Sequence, residues 1–129
     1  MDKISPHSIL ETFYTYGCPP KENRIGGEYE RIILRPNGMS VGYEEPFGIR
    51  WFLLEFAKRW GWKPKLEGNN IIALTKDGAS ITLEPGGQFE ISGAPHYSLL
   101  DLQKEFETNR RCMQQLCKEA GLHAVTIGL

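Results

Sequence analysis

The sequence predicts an α+β fold in which helices cover one face of an antiparallel β-sheet. Between residues 70 and 92, short β-rich stretches follow one another through tight turns, which is typical of neighbouring antiparallel strands. Apolar residues recur at helical spacing before and after that region, and such separation of strands from helices is typical of α+β proteins. The 129 residues, 40% of them hydrophobic, correspond to about one domain with an ordinary core. We therefore treat residues 1–129 as one unit.

The first half of the chain is predicted to form a helix, a strand and a second helix. The first helix begins at Ser5-Pro6, a typical N-cap followed by a first-turn proline, and ends at Gly17. Residues 24–34 alternate and are rich in β-branched side chains, which predicts a strand. Residues 48–61 predict a strongly apolar helix. Its expected core residues are Trp51, Leu54, Phe56 and Trp60.

The middle of the chain is predicted to form a meander of three strands. Residues 70–84 predict two strands on either side of Asp77-Gly78, a dipeptide typical of hairpin turns. The second of them, Ala79–Leu83, is followed by another strand, Gln88–Ser92. The turn between these two contains Pro85-Gly86-Gly87, which are typical turn residues.

The last part of the chain is predicted to form a long helix and the start of a strand. Residues 98–121 predict an amphipathic helix that ends at a glycine, and residues 123–129 predict a strand. The side chains expected to be buried in the helix are Leu99, Leu102, Phe106, Met113 and Leu116. Because the chain stops inside an apolar β-like segment, we expect it to be the front part of a longer protein.

Composition argues against several classes of protein. The formal net charge is −1, with 15 basic and 16 acidic residues, whereas a nucleic-acid surface usually carries a basic excess. No apolar run approaches the roughly 20 residues of a membrane helix. The N-terminal segment lacks the hydrophobic region and cleavage site of a signal peptide. We therefore expect a cytoplasmic protein without a nucleic-acid or membrane partner; the sequence does not indicate an oligomeric state.

The cysteines and histidines suggest neither a metal site nor a disulfide. The chain has three cysteines, Cys18, Cys112 and Cys117, with no C-x-x-C pair. An odd count in a cytosolic chain predicts reduced thiols. Cys112 and Cys117 lie five apart on the predicted helix, so they do not share a face, and their spacing does not support a redox role. The three histidines are scattered along the chain.

Carboxylates recur on one predicted sheet face. Glu28 and Glu30 lie two apart on a strand, so their side chains share a face and their Cα atoms are about 6.6 Å apart. Tyr29 and Arg31 point to the other face. The same alternation applies on both sides of the glycine-rich turn. It places Gln88 and Glu90 on one face, away from Phe89 and Ile91, with Glu84 across the turn.

Two interpretations of these four acids stay open, because the sequence does not show the order of the strands. Antiparallel sheets often have one solvated face. Against that, this face collects glutamate without matching lysine or threonine, and like charges facing each other destabilise a strand pair. At an effective dielectric constant of 20, two like charges 4 Å apart cost about 4 kcal/mol. A divalent cation would remove that cost, and oxygen ligands suit Mg²⁺ or Mn²⁺.

The glycine pairs only weakly suggest phosphate binding. Neither RIGGE nor EPGGQ fits the phosphate-binding patterns G-x-x-x-x-G-K-[ST] or G-x-G-x-x-G. Gly86-Gly87 is more simply a hairpin turn. Gly26-Gly27 is more simply a position where bulky neighbours would crowd the start of a strand.

The stretches RIGGEYERI and GASITLEPGGQFEISGAP resemble the plant-type glutamate–cysteine ligases, a family also found widely in bacteria. The similarity extends to YGCPPKENRIGGEYE near the start and GWKPKLEGNNIIALTKDGASITLEPGGQ in the middle. With the long helix and GLHAVTIGL, it covers roughly residues 8–129. The motif at 79–95 is long and far more specific than a lone G-x-G-x-x-G.

The resemblance implies an ATP-dependent ligase. Members of the family join the γ-carboxylate of glutamate to the amine of cysteine through a γ-glutamyl phosphate, the first step of glutathione synthesis. Their fold is similar to glutamine synthetase and guanidino kinases, with a curved antiparallel sheet whose concave face holds metals, nucleotide and substrates. The expected partners are therefore the small molecules glutamate, cysteine and ATP, with Mg²⁺ or Mn²⁺ as the metal.

The resemblance also assigns roles to residues. It implies that Glu28 and Glu30 hold Mg²⁺, and that Glu84 and Glu90 complete the metal and glutamate site with the substrate-binding Gln88 beside them. No residue is assigned as catalytic, because phosphoryl transfer depends on positioning and charge neutralisation rather than on a nucleophilic side chain.

The chain departs from the family in length, since family members run to several hundred residues. The part beyond it is expected to carry further strands, basic residues that contact phosphates and most of the cysteine pocket, so we expect no turnover from this chain alone. One alternative is a relative with another amine acceptor, such as the ligase that serves ergothioneine synthesis. Another is a non-catalytic module that binds glutamate or a divalent ion, or a degenerate remnant; the intact acids argue against a remnant.

Overall fold

The computed structural model describes residues 5–126. In chain order, the elements within them are α1 (Pro6–Tyr16), β1 (Glu28–Leu34), α2 (Ile49–Trp60), β2 (Lys63–Glu67), β3 (Asn70–Lys76), β4 (Ala79–Glu84), β5 (Gln88–Ser92), α3 (Leu99–Ala120) and β6 (His123–Val125). Short 3₁₀ turns occupy Pro20–Glu22 and Pro85–Gly87. Residues 127–129, to which the prediction extended the last strand, lie outside the described residues.

The described strands form a six-stranded sheet in the order β2-β3-β4-β5-β1-β6, with every neighbouring pair antiparallel. The meander of β3, β4 and β5 is confirmed. β1, the first strand in sequence, pairs with β5 on one side and with β6 on the other. This order makes neighbours of β4, β5 and β1, the three strands that carry the predicted site residues.

α2 and α3 cover the same face of the sheet. Phe52 and Phe56 of α2 contact Phe89 of β5, with ring centroids 6.5 and 5.5 Å apart, and all three rings are fully buried. On β1, Tyr29 contacts Phe106 of α3 at a centroid distance of 4.7 Å. The predicted α+β architecture, with helices on one face, is confirmed for these two helices. The side chains that β1, β4 and β5 direct to the other face are half-buried or exposed.

Local sequence explains where the helices begin and end. The side chain of Ser5 accepts a hydrogen bond from the backbone N–H of Ser8 at 3.1 Å and caps α1. Ser98 caps α3 in the same way. Gly61 and Gly121 end α2 and α3 with φ values of 72° and 67°, in the left-handed region that favours glycine. The predicted bounds of the three helices are confirmed to within one residue.

Two strand predictions need correction. β1 begins at Glu28 rather than at residue 24, because the preceding residues form only an isolated bridge between Ile25 and His96. The edge strand β2 was not predicted. Every residue of its sequence KPKLE is exposed, so no alternation of apolar side chains reveals it. Lysine and proline are residues that limit pairing of an exposed edge with another chain.

Some side chains predicted to be buried are exposed. Leu54 of α2 is 43% exposed and Leu99 of α3 is 68% exposed. The buried residues of α3 lie between Asn109 and Cys117, so its first turn extends beyond the part that packs on the core. The remaining predicted core residues are partly buried (Trp51, Trp60, Leu102, Phe106) or fully buried (Phe56, Met113, Leu116).

α1 has no buried residue, so the core forms without it. No helix within residues 5–126 is long and apolar enough to span a membrane. All three cysteines are free, as predicted; Cys18 is exposed, whereas Cys112 and Cys117 are buried.

Candidate functional site: an acidic face of the sheet

The candidate site is built on the face of β1, β4 and β5 that points away from α2 and α3. The strand register places Glu30 of β1 directly opposite Glu90 of β5. On the other side of β5, Glu84 of β4 pairs with Gln88. Because side chains alternate along a strand, these residues share one face, as predicted. We call this surface the acidic face; its members are Glu28, Glu30, Glu84, Gln88 and Glu90.

Glu90 lies at the centre of the acidic face. Residues directly opposite each other, such as Glu30 and Glu90, have Cβ atoms about 4.5–5.5 Å apart. Glu28 and Glu84 are diagonal neighbours of Glu90, at about 7–8 Å. They occupy opposite corners, two strands and four residue positions apart, so their Cα atoms are separated by roughly 16 Å. One ion cannot contact both corners, so the acidic face offers at least two groups of ligands.

The four carboxylates form no ion pair with Lys, Arg or His of residues 5–126. Other acids of the chain do: Glu55 and Glu119 both bind Arg59, and Glu105 binds His96. Like charges that face each other across a strand pair destabilise it. The Glu30–Glu90 pair on β1 and β5 is therefore a repulsion that no cationic side chain of the described residues offsets, and a cation from solution would relieve it.

Two hydroxyl groups hold one oxygen of Glu90. Ser92 Oγ donates a hydrogen bond to Glu90 Oε1 at 2.9 Å, and Thr82 Oγ1 donates to the same oxygen at 3.4 Å. Glu90 is half-buried. In the described residues, Arg50 Nε is the only fully buried side-chain polar atom without a hydrogen-bond partner. Glu90 Oε2 accepts no hydrogen bond there and is not among the fully buried unpaired atoms, so it keeps some contact with solvent.

Within the part of the chain that the structure describes, no three carboxylate, histidine or cysteine side chains come together as a metal-binding group. The acidic face offers a pair of carboxylates and single carboxylates instead. Such a donor set fits Mg²⁺, which keeps several waters and binds through one or two carboxylates plus substrate phosphates. All the donors are hard oxygens, which Mg²⁺ and Mn²⁺ prefer. The residues therefore fit an ion shared with a ligand, rather than one enclosed by protein.

The reverse side of β1 is anchored to α3. Tyr29 and Arg31 point away from the acidic face, as predicted, and both approach Phe106 of α3; the Arg31 guanidinium lies 6.0 Å from the ring centroid. Gly27 has no room for a Cβ, because the Tyr29 hydroxyl and Leu102 lie against it. The predicted crowding at the start of this strand is confirmed for Gly27. These contacts fix the direction in which the acids of β1 point.

The glycines of the β4–β5 turn are explained by the backbone. Gly86 and Gly87 have φ values of 81° and 79°, a region that other residues rarely adopt. A Cβ at either position would meet nothing within 4 Å. Backbone conformation, rather than a close neighbour, accounts for both glycines, in agreement with the predicted turn.

Sequence reasoning missed the hydroxyl groups of this face. Ser80, Thr82 and Ser92 lie on the same side of the sheet as Glu84 and Glu90. The expectation that the face collects glutamate without matching threonine is therefore wrong. The alternation that places the two acids would have revealed the hydroxyls, since every second residue of β4 and β5 is a serine, threonine, glutamate or glutamine.

One row of paired residues crosses the sheet from acid to base. Starting at Glu28 on β1, the register leads through Ser92, Ser80 and Thr75 to Lys63 on the edge strand β2. The row therefore passes from a carboxylate through three hydroxyls to an ammonium group. It offers hydrogen-bond donors next to the acids.

The fold and the acidic face together describe an α+β protein whose open sheet surface is rich in carboxylates. The model of glutamate-cysteine ligase family 2 (GCS2) matches residues 24–129. This range includes the whole acidic face and both helices behind it. The chain belongs to this family, so the resemblance carried by the sequence motifs is confirmed.

Plant proteins of the same family are similar to this chain over most of its length. Glutamate–cysteine ligase A, chloroplastic, of Oryza sativa subsp. japonica is 38% identical over 125 residues, 92% of this chain and 24% of that protein. Glutamate–cysteine ligase, chloroplastic, of Nicotiana tabacum is 37% identical over 119 residues, 88% of this chain and 22% of that protein. The Arabidopsis thaliana protein of the same name is 34% identical over 121 residues, which are 92% of this chain and 23% of that protein. The chain spans about a quarter of the length of these relatives.

Proposed function

We propose that this chain supplies the metal- and glutamate-binding face of a glutamate–cysteine ligase. In the proposed reaction, the γ-carboxylate of L-glutamate is joined to the amine of L-cysteine through a γ-glutamyl phosphate, while ATP is split to ADP and phosphate. This is the first step of glutathione biosynthesis. The observation that carries the proposal is the strand register, which gathers on one open face four acids that have no counter-ion within residues 5–126.

The proposal concerns a longer protein, because the named relatives are about four times as long as the matched segment. We expect no turnover from this chain alone. We also propose that the complete sheet has the curved form of glutamine synthetase and guanidino kinases. Cytoplasmic location stays a prediction from the sequence.

The acids are the proposed ligands of Mg²⁺ or Mn²⁺. Glu30 and Glu90 make one pair of ligands, and Glu28 and Glu84 are single ligands at opposite corners of the acidic face. When bound, such ions neutralise phosphate charge and orient the phosphoryl group. The protein contributes carboxylates fixed on a sheet that a buried core supports, which is the kind of rigid support a binding site needs.

The neighbouring polar groups have proposed roles in binding the substrates. The amide of Gln88 can donate to a carboxylate and accept from an ammonium group, so we propose that it binds glutamate. The hydroxyl of Thr75 and the ammonium of Lys63 can donate to phosphate oxygens of ATP. No residue of the chain is assigned to proton transfer.

The proposal is tested in a chimera in which residues 24–129 replace the matching segment of the rice relative. The readout is formation of γ-glutamylcysteine from glutamate, cysteine and Mg·ATP. We expect Glu28→Gln and Glu84→Gln each to lower kcat by at least about a hundredfold, because ions at these positions stabilise charge in the transition state by several kcal/mol. Circular dichroism should be unchanged.

Glu67→Gln, on the edge strand β2 and away from the acidic face, is the matched control and should keep normal turnover. Near-normal turnover in both acid variants would contradict the metal assignment. A folded chimera that binds glutamate but forms no product, beside an active rice protein, would favour the non-catalytic binding module.

A further inference from the structure

We propose that Ser92 is a positioning residue for Glu90, with Thr82 in support. Their hydroxyls hold Oε1 of the carboxylate, so that Oε2 is presented to the ion or ligand of the acidic face. This inference rests on the proposed function. It adds a residue that acts through Glu90 and does not itself contact the ligand.

The contacts assign the larger part to Ser92. The distance of 2.9 Å from Ser92 Oγ to Glu90 Oε1 is that of an ordinary hydrogen bond, whereas 3.4 Å from Thr82 Oγ1 is a weak contact. Ser92 lies two residues from Glu90 on the same strand, so both side chains share the acidic face. Its hydroxyl makes no other hydrogen bond to the residues described.

Thr82 and Glu30 approach Glu90 from opposite sides. Thr82 faces Glu90 from β4, whereas Glu30 faces it from β1. The Thr82 contact therefore lies on the side of Glu90 opposite Glu30. A cation between Glu30 and Glu90 would be attracted by both carboxylates.

Restraint of Glu90 has a functional consequence. A free glutamate side chain has many rotamers, and binding must order it at a cost in affinity. Groups that hydrogen-bond to a metal-ligating carboxylate orient it, and their loss typically lowers metal affinity or activity by 10–100-fold. A serine that fixes Glu90 in advance would act in this way.

The test compares Ser92→Ala and Ser92→Thr with Ser80→Ala in the full chain. Ser80 is the matched control, because it pairs with Ser92 on the neighbouring strand but donates to no carboxylate of the described residues. The first readout is the mobility of the Glu90 side chain by NMR of chain labelled with ¹³C-glutamate. The second is the affinity for Mn²⁺ in the presence of a non-hydrolysable ATP analogue.

We expect Ser92→Ala to increase the mobility of Glu90 and to weaken Mn²⁺ binding about tenfold. Ser92→Thr should restore both, and Ser80→Ala should change neither. An ordered fold with unchanged Glu90 mobility, or unchanged Mn²⁺ affinity, in Ser92→Ala would overturn the positioning role while leaving the proposed function intact. Absence of Mn²⁺ binding in the folded wild-type chain would overturn the proposed function, and the presenting role of Ser92 with it.

Discussion

Cys117 lies in the second half of α3 with 6% of its surface exposed. Burial raises the pKa of its thiol to about 11, although the nearby Arg31 guanidinium and a backbone hydrogen bond at Ala124 act in the other direction. Burial also raises the pKa of the Cys112 thiol. Buried neutral thiols are poor nucleophiles. These two cysteines therefore belong to the core, which agrees with the absence of a redox spacing in the sequence.

Thiol labelling tests this assignment. At pH 8, Ellman's reagent should label only the exposed Cys18 of the native chain, and all three cysteines after unfolding in guanidinium. The Cys18→Ser variant is the control and should show no rapid labelling in the native state. Rapid labelling of Cys112 or Cys117 in the folded chain would contradict the assignment.

The stability of the chain should also depend on Cys117 at alkaline pH. The pKa of the Cys117 thiol is about 11 in the folded chain, whereas its ordinary value is 9.0. The contribution of the neutral thiol to stability is therefore fully present below pH 9 and is lost as the pH rises toward 11. Between these values, the free energy of unfolding should fall less in Cys117→Ala than in wild type.

At the scale of elements, the pairing of β1 with β5 brings like charges together. Glu30 is exposed and directly faces the half-buried Glu90, and neither has a cationic partner in the described residues. A sheet under selection for stability alone would place a neutral or basic residue opposite Glu90. Repulsion kept at this position is typical of a binding site that is stabilised by its ligand.

Glu30→Gln should therefore stabilise the chain when divalent ions are absent. We expect the free energy of urea unfolding to rise by about 0.2–1 kcal/mol, the range for cross-strand pairs. The gain should shrink at high salt, because ions screen exposed charges. Glu67→Gln, which removes a charge paired with neutral Asn70, should show no such gain. A lower or unchanged unfolding free energy in Glu30→Gln would show that the repulsion is not felt.

The sequence predicted those elements that local chemistry determines. The ends of the helices could be predicted because serine and glycine caps are local features. The β3–β4 hairpin could be predicted because the dipeptide Asp77-Gly78 favours a tight turn by itself; both residues have positive φ. The edge strand β2 escaped prediction, since it has no buried face to impose alternation. The order of the strands could not be predicted, because β1 joins β5 across some sixty residues of chain.

For the candidate site, alternation along each strand predicted which acids of that strand share a face. Only the structure shows that β1, β4 and β5 are neighbours, so that their acids lie on one surface. Alternation would also have placed Ser92 and Thr82 on that face, although neither was among the predicted site residues. Their hydrogen bonds to Glu90 depend on side-chain geometry that a sequence does not contain. The roles of the acids as ligands came from family resemblance and remain proposals.

In the molecule as a whole, the two faces of the sheet have different roles. One is covered by α2 and α3 and provides the buried core. The other carries the acids and hydroxyls and is open, while α1 lies outside the core altogether. Since the core does not involve the acidic face, the charges there can be changed without removing the packing that holds the strands in register.

We have proposed that the acidic face binds divalent cations beneath a nucleotide. Calorimetric titration of Mn²⁺ and Mg²⁺ into the 129-residue chain with a non-hydrolysable ATP analogue tests this binding, and it is repeated with Glu28→Gln and Glu84→Gln. We predict saturable binding that each variant weakens at least about tenfold, with Glu67→Gln unaffected. Because Glu28 and Glu84 lie too far apart to share an ion, each variant should lose a different part of the binding. Equal binding in all variants, or none in the folded wild-type chain, would contradict the claim.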